Sequence, residues 1–170
     1  LKDIPDTDLE RWCLCHSSRY AQRDQGIEDI LVDCDGADLM FGCRPSADPN
    51  WTVLAMGERD EVFRDTGDGN NETHEHNGVA WYFSENQSMG FSPLGVPVRR
   101  ASCDTDTTQG DKKLCWHTEN NSITAGWRCG SNRGLNAGLN WERAIWTRGE
   151  GSTCVAPERC EGDDDCVAGR

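Results

Sequence analysis

The sequence predicts a mainly β fold, an antiparallel sandwich or barrel stapled by disulfides. Ten cysteines in 170 residues indicate a chain that folds in an oxidising compartment, where cysteines pair. From residue 51 onward, short aromatic and β-branched runs alternate with Gly, Asn, Asp and Pro about every ten residues, which is typical of an all-β domain. Helical spacing of apolar residues occurs in residues 20–32, at Ile27, Ile30 and Leu31. We therefore expect at most one short helix, near the N-terminus.

Six segments have the composition of β-strands, because they are rich in aromatic and β-branched residues. They are residues 51–56, 79–84, 89–91, 114–118, 123–129 and 141–147. In the last segment, the alternation of side chains along a strand places Trp141 and Trp146 on opposite faces. Either protein covers both faces of this strand, or one of the two tryptophans faces a ligand.

Composition divides the chain into a body and a tail. Residues 1–147 are expected to form a single β-rich domain that begins with an N-terminal arm, residues 1–12. Residues 148–170 contain three cysteines but no core-forming run, so we interpret them as a Cys-rich tail or as the start of a following module. Because the sequence begins at Leu1 without an initiator methionine, we expect a processed product or a fragment of a longer protein.

All ten cysteines are expected to form disulfides, since their even number allows every one to pair. They are Cys13, Cys15, Cys34, Cys43, Cys103, Cys115, Cys129, Cys154, Cys160 and Cys166. Short loops favour the pairs Cys34–Cys43 and Cys103–Cys115, whereas the three tail cysteines need at least one partner upstream. The alternative is a zinc site, for which residues 13–16 (CLCH) are the nearest pattern, although zinc prefers two Cys-x(2–4)-Cys pairs.

The net charge of −13 excludes two classes of partner. Residues 1–76 hold 18 acidic and 7 basic side chains. Such a surface repels nucleic acids and anionic lipids, which bind clusters of Lys and Arg. No segment approaches the roughly 20 apolar residues that a membrane span needs. We therefore expect a secreted or cell-surface domain with no nucleic-acid partner and no membrane span.

Four Asn-x-Ser/Thr motifs would accept glycans in a eukaryotic secretory pathway. Their asparagines are Asn50, Asn71, Asn86 and Asn120. In a bacterial protein the same motifs would carry no such consequence.

The candidate cation site is the loop at residues 65–76, in which Asp65, Asp68 and Glu72 alternate with Gly and Asn. Calcium takes six to eight oxygen ligands and suits compact loops of this composition. The spacing of the acids differs from that of an EF-hand. The loop is interpreted either as a calcium site held by these three residues or as a solvated acidic hairpin loop.

Six residues are predicted to bind a ligand. They are Trp81, Asn132, Arg133, Asn136, Asn140 and Trp141. Aromatic rings beside amide side chains suit sugars, because the apolar face of a sugar packs on the ring while its hydroxyls bond to the amides. Residues 130–140 supply the amides in a Gly- and Asn-rich loop, and binding residues concentrate on loops.

These observations support a non-catalytic extracellular binding module that recognises a carbohydrate or a glycoprotein in the manner of a lectin, with calcium as a structural cation. The alternative is a structural subunit that self-assembles into an extracellular filament, matrix or coat. An enzyme is the third hypothesis. It would be either a metal-dependent enzyme that uses His74 and His76 with His117 or Glu85, or a glycosidase that uses Glu142.

Overall fold

The computed structural model describes residues 1–23, 25–150 and 152. The described chain is mainly β, as the sequence predicts, and contains two antiparallel sheets. The strands are β1 (Lys2–Pro5), β2 (Cys13–Arg19), β3 (Gln25–Gly26), β4 (Asp38–Pro45), β5 (Asn50–Glu58), β6 (His74–His76), β7 (Val79–Phe83), β8 (Ser88–Pro93), β9 (Leu114–Glu119), β10 (Ser122–Cys129), β11 (Asn132–Arg133) and β12 (Trp141–Arg148). The helices are α1 (Ile27–Asp33), α2 (Arg59–Val62) and two short 3-10 turns, Asp6–Leu9 and Gly110–Lys112.

The first sheet has the strand order β1-β5-β4-β12-β2, and the second has the order β11-β10-β9-β8-β7-β6. The short strand β3 pairs with β10 at the end opposite to β11. Five of the six predicted strand segments fall within strands β5, β8, β9, β10 and β12, and the segment 79–84 matches β7 except at Ser84. The strands β2 and β4 precede residue 50, where the sequence analysis predicted none.

Both sheets contribute side chains to one core. The ring of Phe41 on β4 lies 5.8 Å from Trp81 on β7 and 5.3 Å from Trp116 on β9, between ring centroids. A disulfide between Cys43 on β4 and Cys129 on β10 links the two sheets across this core. Within the described ranges neither sheet closes on itself, so the arrangement favours the sandwich over the barrel.

The N-terminal arm covers the outer face of the first sheet. Leu9, Trp51 and Trp146 are buried together there, and Trp12 packs against them. The rings of Trp51 and Trp146 meet edge to face with centroids 4.5 Å apart, and Arg44 lies over the Trp51 ring. The sequence left two alternatives for strand β12: protein on both faces, or a ligand at one of its tryptophans. The structure shows protein over the Trp146 face.

Residues 94–109, which connect β8 to the second 3-10 turn, lie against the outer face of the second sheet. Val98 and Cys103 from this segment are buried with Tyr82 of β7 and Cys115 of β9. The disulfide Cys103–Cys115 attaches the segment to the sheet. Each sheet is thus covered over part of its outer face as well as on its inner face.

The disulfides confirm one predicted pair and overturn another. Cys103 pairs with Cys115, as predicted. The prediction of Cys34–Cys43 is wrong, because Cys34 at the end of α1 pairs with Cys15 on β2 and Cys43 pairs with Cys129. Closeness in sequence did not predict this pairing. Helix α1 lies next to β2, which brings Cys34 to Cys15, whereas Cys43 lies in the core between the sheets.

The remaining cysteine predictions divide in two. Cys13 is disulfide-bonded, and Cys15 is bonded to Cys34, so residues 13–16 do not offer the pair of free thiolates that a zinc site needs. The prediction of a Cys-rich tail and of disulfides at Cys154, Cys160 and Cys166 lies outside the described residues.

The structure holds two short α-helices, whereas the prediction allowed one. The second, α2, is a single turn and therefore too short to produce helical periodicity in the sequence. Its Arg59 donates hydrogen bonds to the carbonyls of Leu31 and Cys34 at the end of α1. Among the described residues, no helix is long and apolar enough to cross a membrane.

Candidate functional site

A polar groove of about 530 Å³ lies at one end of the second sheet. The turn between β7 and β8 contributes Asn86 and Gln87, and the end of β9 with its following turn contributes residues 117–120. The 94–109 segment forms another wall through Ala101 and Ser102. The lining also includes Asp68, Arg23 and Asn136, from three different loops, and Thr124 from β10. We call this site the His117 groove.

His117 is the half-buried titratable group of this groove. Burial lowers its pKa below the ordinary value, while hydrogen bonds with the Ser102 backbone and the Asn136 side chain act in the opposite direction. The imidazole is therefore neutral at pH 7, with one nitrogen that donates a hydrogen bond and one that accepts. This state suits recognition of a hydroxyl group, which also donates and accepts.

Gln87 holds three parts of the groove together. Its Nε2 donates to the carbonyls of Arg100 and Ala101, at 3.3 and 3.5 Å. Its Oε1 accepts from the backbone nitrogen of Gly69 at 2.8 Å. Its backbone nitrogen donates to Oγ1 of Thr118 at 3.2 Å. Through its side chain and its backbone, Gln87 thus connects the acidic loop and the 94–109 segment to strand β9.

Two of the four predicted glycosylation sites line the groove. Oδ1 of Asn86 accepts from the backbone nitrogen of Asn120 at 3.0 Å, which brings the two hairpin turns together. Asn120 and Asn121 have positive φ angles of 49° and 53°, a conformation that Asn tolerates better than most residues. A glycan on Asn86 or Asn120 would share the groove with any ligand.

The other two predicted glycosylation sites lie elsewhere. Oδ1 of Asn71 accepts from the backbone nitrogen of Arg100 at 2.8 Å. Asn50 begins β5 and pairs with Pro5 of β1.

The structure divides the six predicted ligand residues among four places. Asn136 lines the His117 groove. Asn140 and Trp141 line a neighbouring open hollow of about 540 Å³ together with Leu135 and Leu139. We call it the Trp141 hollow.

Asn132 and Arg133 form the short strand β11, where both are exposed. Nη1 of Arg133 donates to the carbonyl of Thr105 at 3.4 Å. This pair therefore lies apart from the residues that line the groove and the hollow.

Trp81 lies in the core between the sheets with 1% of its surface exposed. Its ring packs edge to face on Phe41 and Phe91, so it presents no surface to a ligand in this structure. Because side chains alternate along a strand, the sequence of β7 places Trp81 and Tyr82 on opposite faces. What it did not show is that the 94–109 segment covers the Tyr82 face, which leaves neither face open.

The acidic loop is shaped by its own hydrogen bonds. Oδ1 of Asp65 accepts from the backbone nitrogen of Gly67 at 2.7 Å, and the backbone nitrogen of Glu72 donates to Oδ1 of Asn70 at 3.0 Å. Of the three predicted calcium ligands, Asp68 lines the His117 groove. In the described part of the chain, no three His, Cys, Asp or Glu side chains are grouped closely enough to hold a metal ion. Calcium stays a prediction.

The residues named for catalysis make contacts with other side chains. His74 on β6 bonds to Glu61, and β7 and β8 separate this strand from His117 on β9. Glu142 on β12 accepts from Nε of Arg44 at 2.5 Å and lies 3.8 Å from Arg19. The structure therefore does not bring the two predicted metal-binding histidines together with His117.

Comparisons of this chain with protein-family models, with curated proteins and with solved structures gave no match. The chemistry of the groove itself is therefore the basis for a functional inference. Sequence analysis missed Arg23, Gln87 and Ser102 as lining residues, and considered His117 only as a metal ligand. The pairing Ser88↔His117 between β8 and β9 places the two hairpin turns side by side. No local sequence pattern predicts the register between β8 and β9.

Proposed function

We propose that this chain is a non-catalytic, extracellular binding module that holds a carbohydrate in the His117 groove. The observation that carries the proposal is the concentration of amides and hydroxyls around one half-buried, neutral imidazole. A sugar presents several hydroxyls, each of which donates and accepts hydrogen bonds. Amide side chains and a neutral histidine supply both functions.

The composition of the lining supports a neutral polar ligand. Four amide side chains line the groove: Asn86, Gln87, Asn120 and Asn136. Ser102, Thr118 and Thr124 add hydroxyls, and Arg23 is accompanied by the carboxylates of Asp68 and Glu119. The volume falls in the range of small-ligand sites. A lining so rich in amides, with charges of both signs, favours a sugar over a strongly anionic or an apolar ligand.

The Trp141 hollow provides an apolar surface beside the groove. Asn136 lines the groove, while its neighbours Leu135 and Ala137 line the hollow. Leu139 in the hollow has 72% of its surface exposed. Because sugars carry apolar faces as well as hydroxyls, an oligosaccharide long enough to cross the 134–141 loop could contact both surfaces. This arrangement supports the proposal that Asn136, Asn140 and Trp141 belong to one extended site.

An extracellular location for this module is supported by its cysteines. Three disulfides link described residues, and disulfides persist mainly in oxidising environments. The strongly negative net charge disfavours nucleic acids and anionic membranes as partners.

Binding of the oxidised protein to a broad glycan array tests the proposal, with Asn136→Ala and Asn132→Ala as matched variants. Both asparagines are exposed and close in sequence, but only Asn136 is among the residues that line the groove. We expect Asn136→Ala to lose at least about tenfold in affinity for the best glycan, which corresponds to about 1.4 kcal/mol. Asn132→Ala should bind within about twofold of the unmodified protein. Equal losses in the two variants, or no glycan binding by the unmodified protein, would contradict the proposal.

The role of calcium is tested in the same assay. If Asp65, Asp68 and Glu72 hold calcium, a chelator lowers glycan binding and Asp68→Asn reproduces the chelated behaviour without added chelator. If the chelator leaves glycan binding unchanged, the groove binds glycans without calcium, and residues 65–76 form a solvated acidic loop.

A further inference from the structure

We propose that the buried ammonium of Lys113 is a positioning group for the His117 groove. It acts as the cation around which the 94–109 segment folds, and thereby fixes the wall formed by Ala101 and Ser102. Its effect on a ligand rests on the proposed function, whereas its effect on the wall does not.

The contacts of Lys113 form a cage of oxygen atoms. The side chain has no exposed surface. Its Nζ donates to the carbonyl of Pro97 at 2.6 Å and to Oδ1 of Asp106 at 3.2 Å. It also lies 3.0 Å from Oδ2 of Asp104. The ammonium thus donates hydrogen bonds to Pro97 and Asp106 of the 94–109 segment. With Asp104 it forms an ion pair, because Oδ2 of Asp104 accepts no hydrogen bond.

Asp104 transmits this anchoring to the backbone of the segment. Its Oδ1 accepts from the backbone nitrogens of Arg99 and Asp106, at 3.0 and 2.9 Å, while its Oδ2 faces Lys113. A second buried cation assists, because Nη1 of Arg128 donates to the carbonyls of Asp104 and Asp106 at 3.1 and 2.7 Å. The segment contains no strand or helix. Its path therefore depends on these charge-assisted bonds, on the Cys103–Cys115 disulfide and on the buried Arg100, which donates to Ser84, Ser88 and Thr66.

The caged part of the segment contains the groove wall. Ala101 and Ser102 lie between Pro97 and Asp104 in the chain, so both ends of this stretch contact the same ammonium. The Ala101 carbonyl accepts from Gln87, and the Ser102 backbone bonds with His117. Loss of the ammonium would leave Asp104 and Asp106 with only the longer cation contacts, to Arg128 and Arg99 at 3.6 and 3.7 Å. We expect the wall then to shift relative to His117.

Lys112 offers a matched control, because it is the adjacent residue, carries the same charge and is exposed. Its Nζ contacts Oε1 of Gln109 at 3.1 Å. Lys113→Met and Lys112→Met therefore remove the same charge from neighbouring positions. Only Lys113→Met removes the ammonium that contacts Pro97, Asp104 and Asp106.

The first readout needs no ligand. In ¹⁵N NMR spectra, we expect the Ser102 amide and the His117 imidazole to shift in Lys113→Met and to remain in place in Lys112→Met. In the unmodified protein, we also expect one slowly exchanging lysine ¹⁵Nζ signal, which Lys112→Met retains and Lys113→Met lacks. Unchanged Ser102 and His117 signals in a folded Lys113→Met protein would overturn the inference.

The second readout is affinity for the glycan identified on the array. We expect Lys113→Met to bind at least about tenfold more weakly and Lys112→Met to bind within about twofold of the unmodified protein. If the unmodified protein binds no glycan, the proposed function fails, while the NMR readout still decides the role of Lys113. If glycan binding is intact in both variants, this inference fails and the proposed function stands.

A charge-balanced variant covers the case in which Lys113→Met does not fold. Lys113→Met combined with Asp104→Asn removes the buried cation and one anion together, so it leaves less uncompensated charge in the interior. We expect this double variant to fold, with shifted Ser102 and His117 signals and weakened glycan binding. Native Ser102 and His117 signals in the double variant would overturn the inference, and so would its failure to fold.

Discussion

At the scale of single residues, Tyr20 is a buried polar side chain whose hydroxyl is fully hydrogen-bonded. The hydroxyl of Tyr20 donates to the carbonyl of Arg128 at 2.9 Å and accepts from Nε1 of Trp116 at 3.2 Å. Burial raises the pKa of Tyr20, so the phenol remains a donor. A side chain at Gly126 would place its Cβ 1.9 Å from the Tyr20 ring. The ring therefore requires glycine at that position on β10.

Two half-buried histidines make stability depend on pH. Burial lowers the pKa of His16 and of His117 below 6.5. The unfolded chain therefore binds these protons more tightly, so their contribution is fully present above about pH 6.5 and is lost as pH falls through 6.5 toward the lowered values. Each histidine adds a slope of at most about 1.4 kcal/mol per pH unit. We expect the melting temperature to fall between about pH 7 and about pH 5.

Calorimetry on the double variant His16→Gln/His117→Gln checks the source of this slope. The variant should melt at a nearly constant temperature across the same window. Carboxylates with lowered pKa, such as Asp6 and Asp106, act only near and below their ordinary value of 3.8, so they do not contribute there. A slope in the double variant as steep as in the unmodified protein would show that other groups are responsible.

At the scale of elements, the site depends on pairings between distant parts of the chain. Strands β8 and β9 are separated by the 94–109 segment and a 3-10 turn, yet their register aligns the turn at residues 84–87 with the turn at residues 120–121. The same register brings Gln87 to Thr118. A slip of one residue would reverse the faces of β9 and would remove His117 from the groove.

The disulfides should differ in their contribution to stability. Cys43–Cys129 closes a separation of 86 residues, whereas Cys103–Cys115 closes one of 12. In the chain-entropy description, longer loops are stabilised more, by about 4.5 kcal/mol for the first and about 3 kcal/mol for the second. We expect Cys43→Ala/Cys129→Ala to lower the free energy of unfolding more than Cys103→Ala/Cys115→Ala.

Urea unfolding of the two double variants measures this difference. The second pair serves as the matched control, since both disulfides are buried. If the short-loop variant is destabilised as much as the sheet-linking variant, local packing rather than loop length sets the contribution of the bonds. The short-loop variant also tests the 94–109 segment, because its disulfide attaches that segment to β9.

At the scale of the whole molecule, the two sheets share one core, and other segments of the chain cover part of the outer face of each sheet. The N-terminal arm covers Trp51 and Trp146, and the 94–109 segment covers Tyr82. Most of the aromatic residues that suggested a binding surface are thus used for packing. Loops and turns form most of the lining of the His117 groove and the Trp141 hollow, and β9 and β10 supply the rest of the groove.

The binding-module proposal and the structural-subunit alternative differ in the expected assembly state. We expect the oxidised protein to be a monomer of 18.9 kDa by light scattering, because copies with a net charge of −13 repel one another at low ionic strength. Glycan binding should leave that mass unchanged apart from the ligand. Self-assembly into large particles without glycan binding would favour the structural subunit.

How much was predictable differs between the fold and the site. The rhythm of short strands after residue 50 and the pair Cys103–Cys115 followed from local composition and spacing. The strands β2 and β4 did not, because Cys13–Arg19 is polar at several positions and Gly42 interrupts the apolar run of β4. Close packing around Gly42 disfavours a side chain at this position, because a Cβ there would lie 2.2 Å from Cδ2 of Leu54. Only the tertiary structure reveals that neighbour.

The sequence by itself determined that this is a mainly β, disulfide-bonded chain, because strand composition, turn residues and cysteine number are local properties. It also indicated the loop of residues 130–140, from which Asn136 reaches the groove. Only the tertiary structure decided that Trp81 is buried, that Cys34 pairs with Cys15, and that His117 lies among amides from several loops. The physical reason is that burial and proximity depend on strand register and on which segment covers each sheet. Those pairings join residues far apart in the chain.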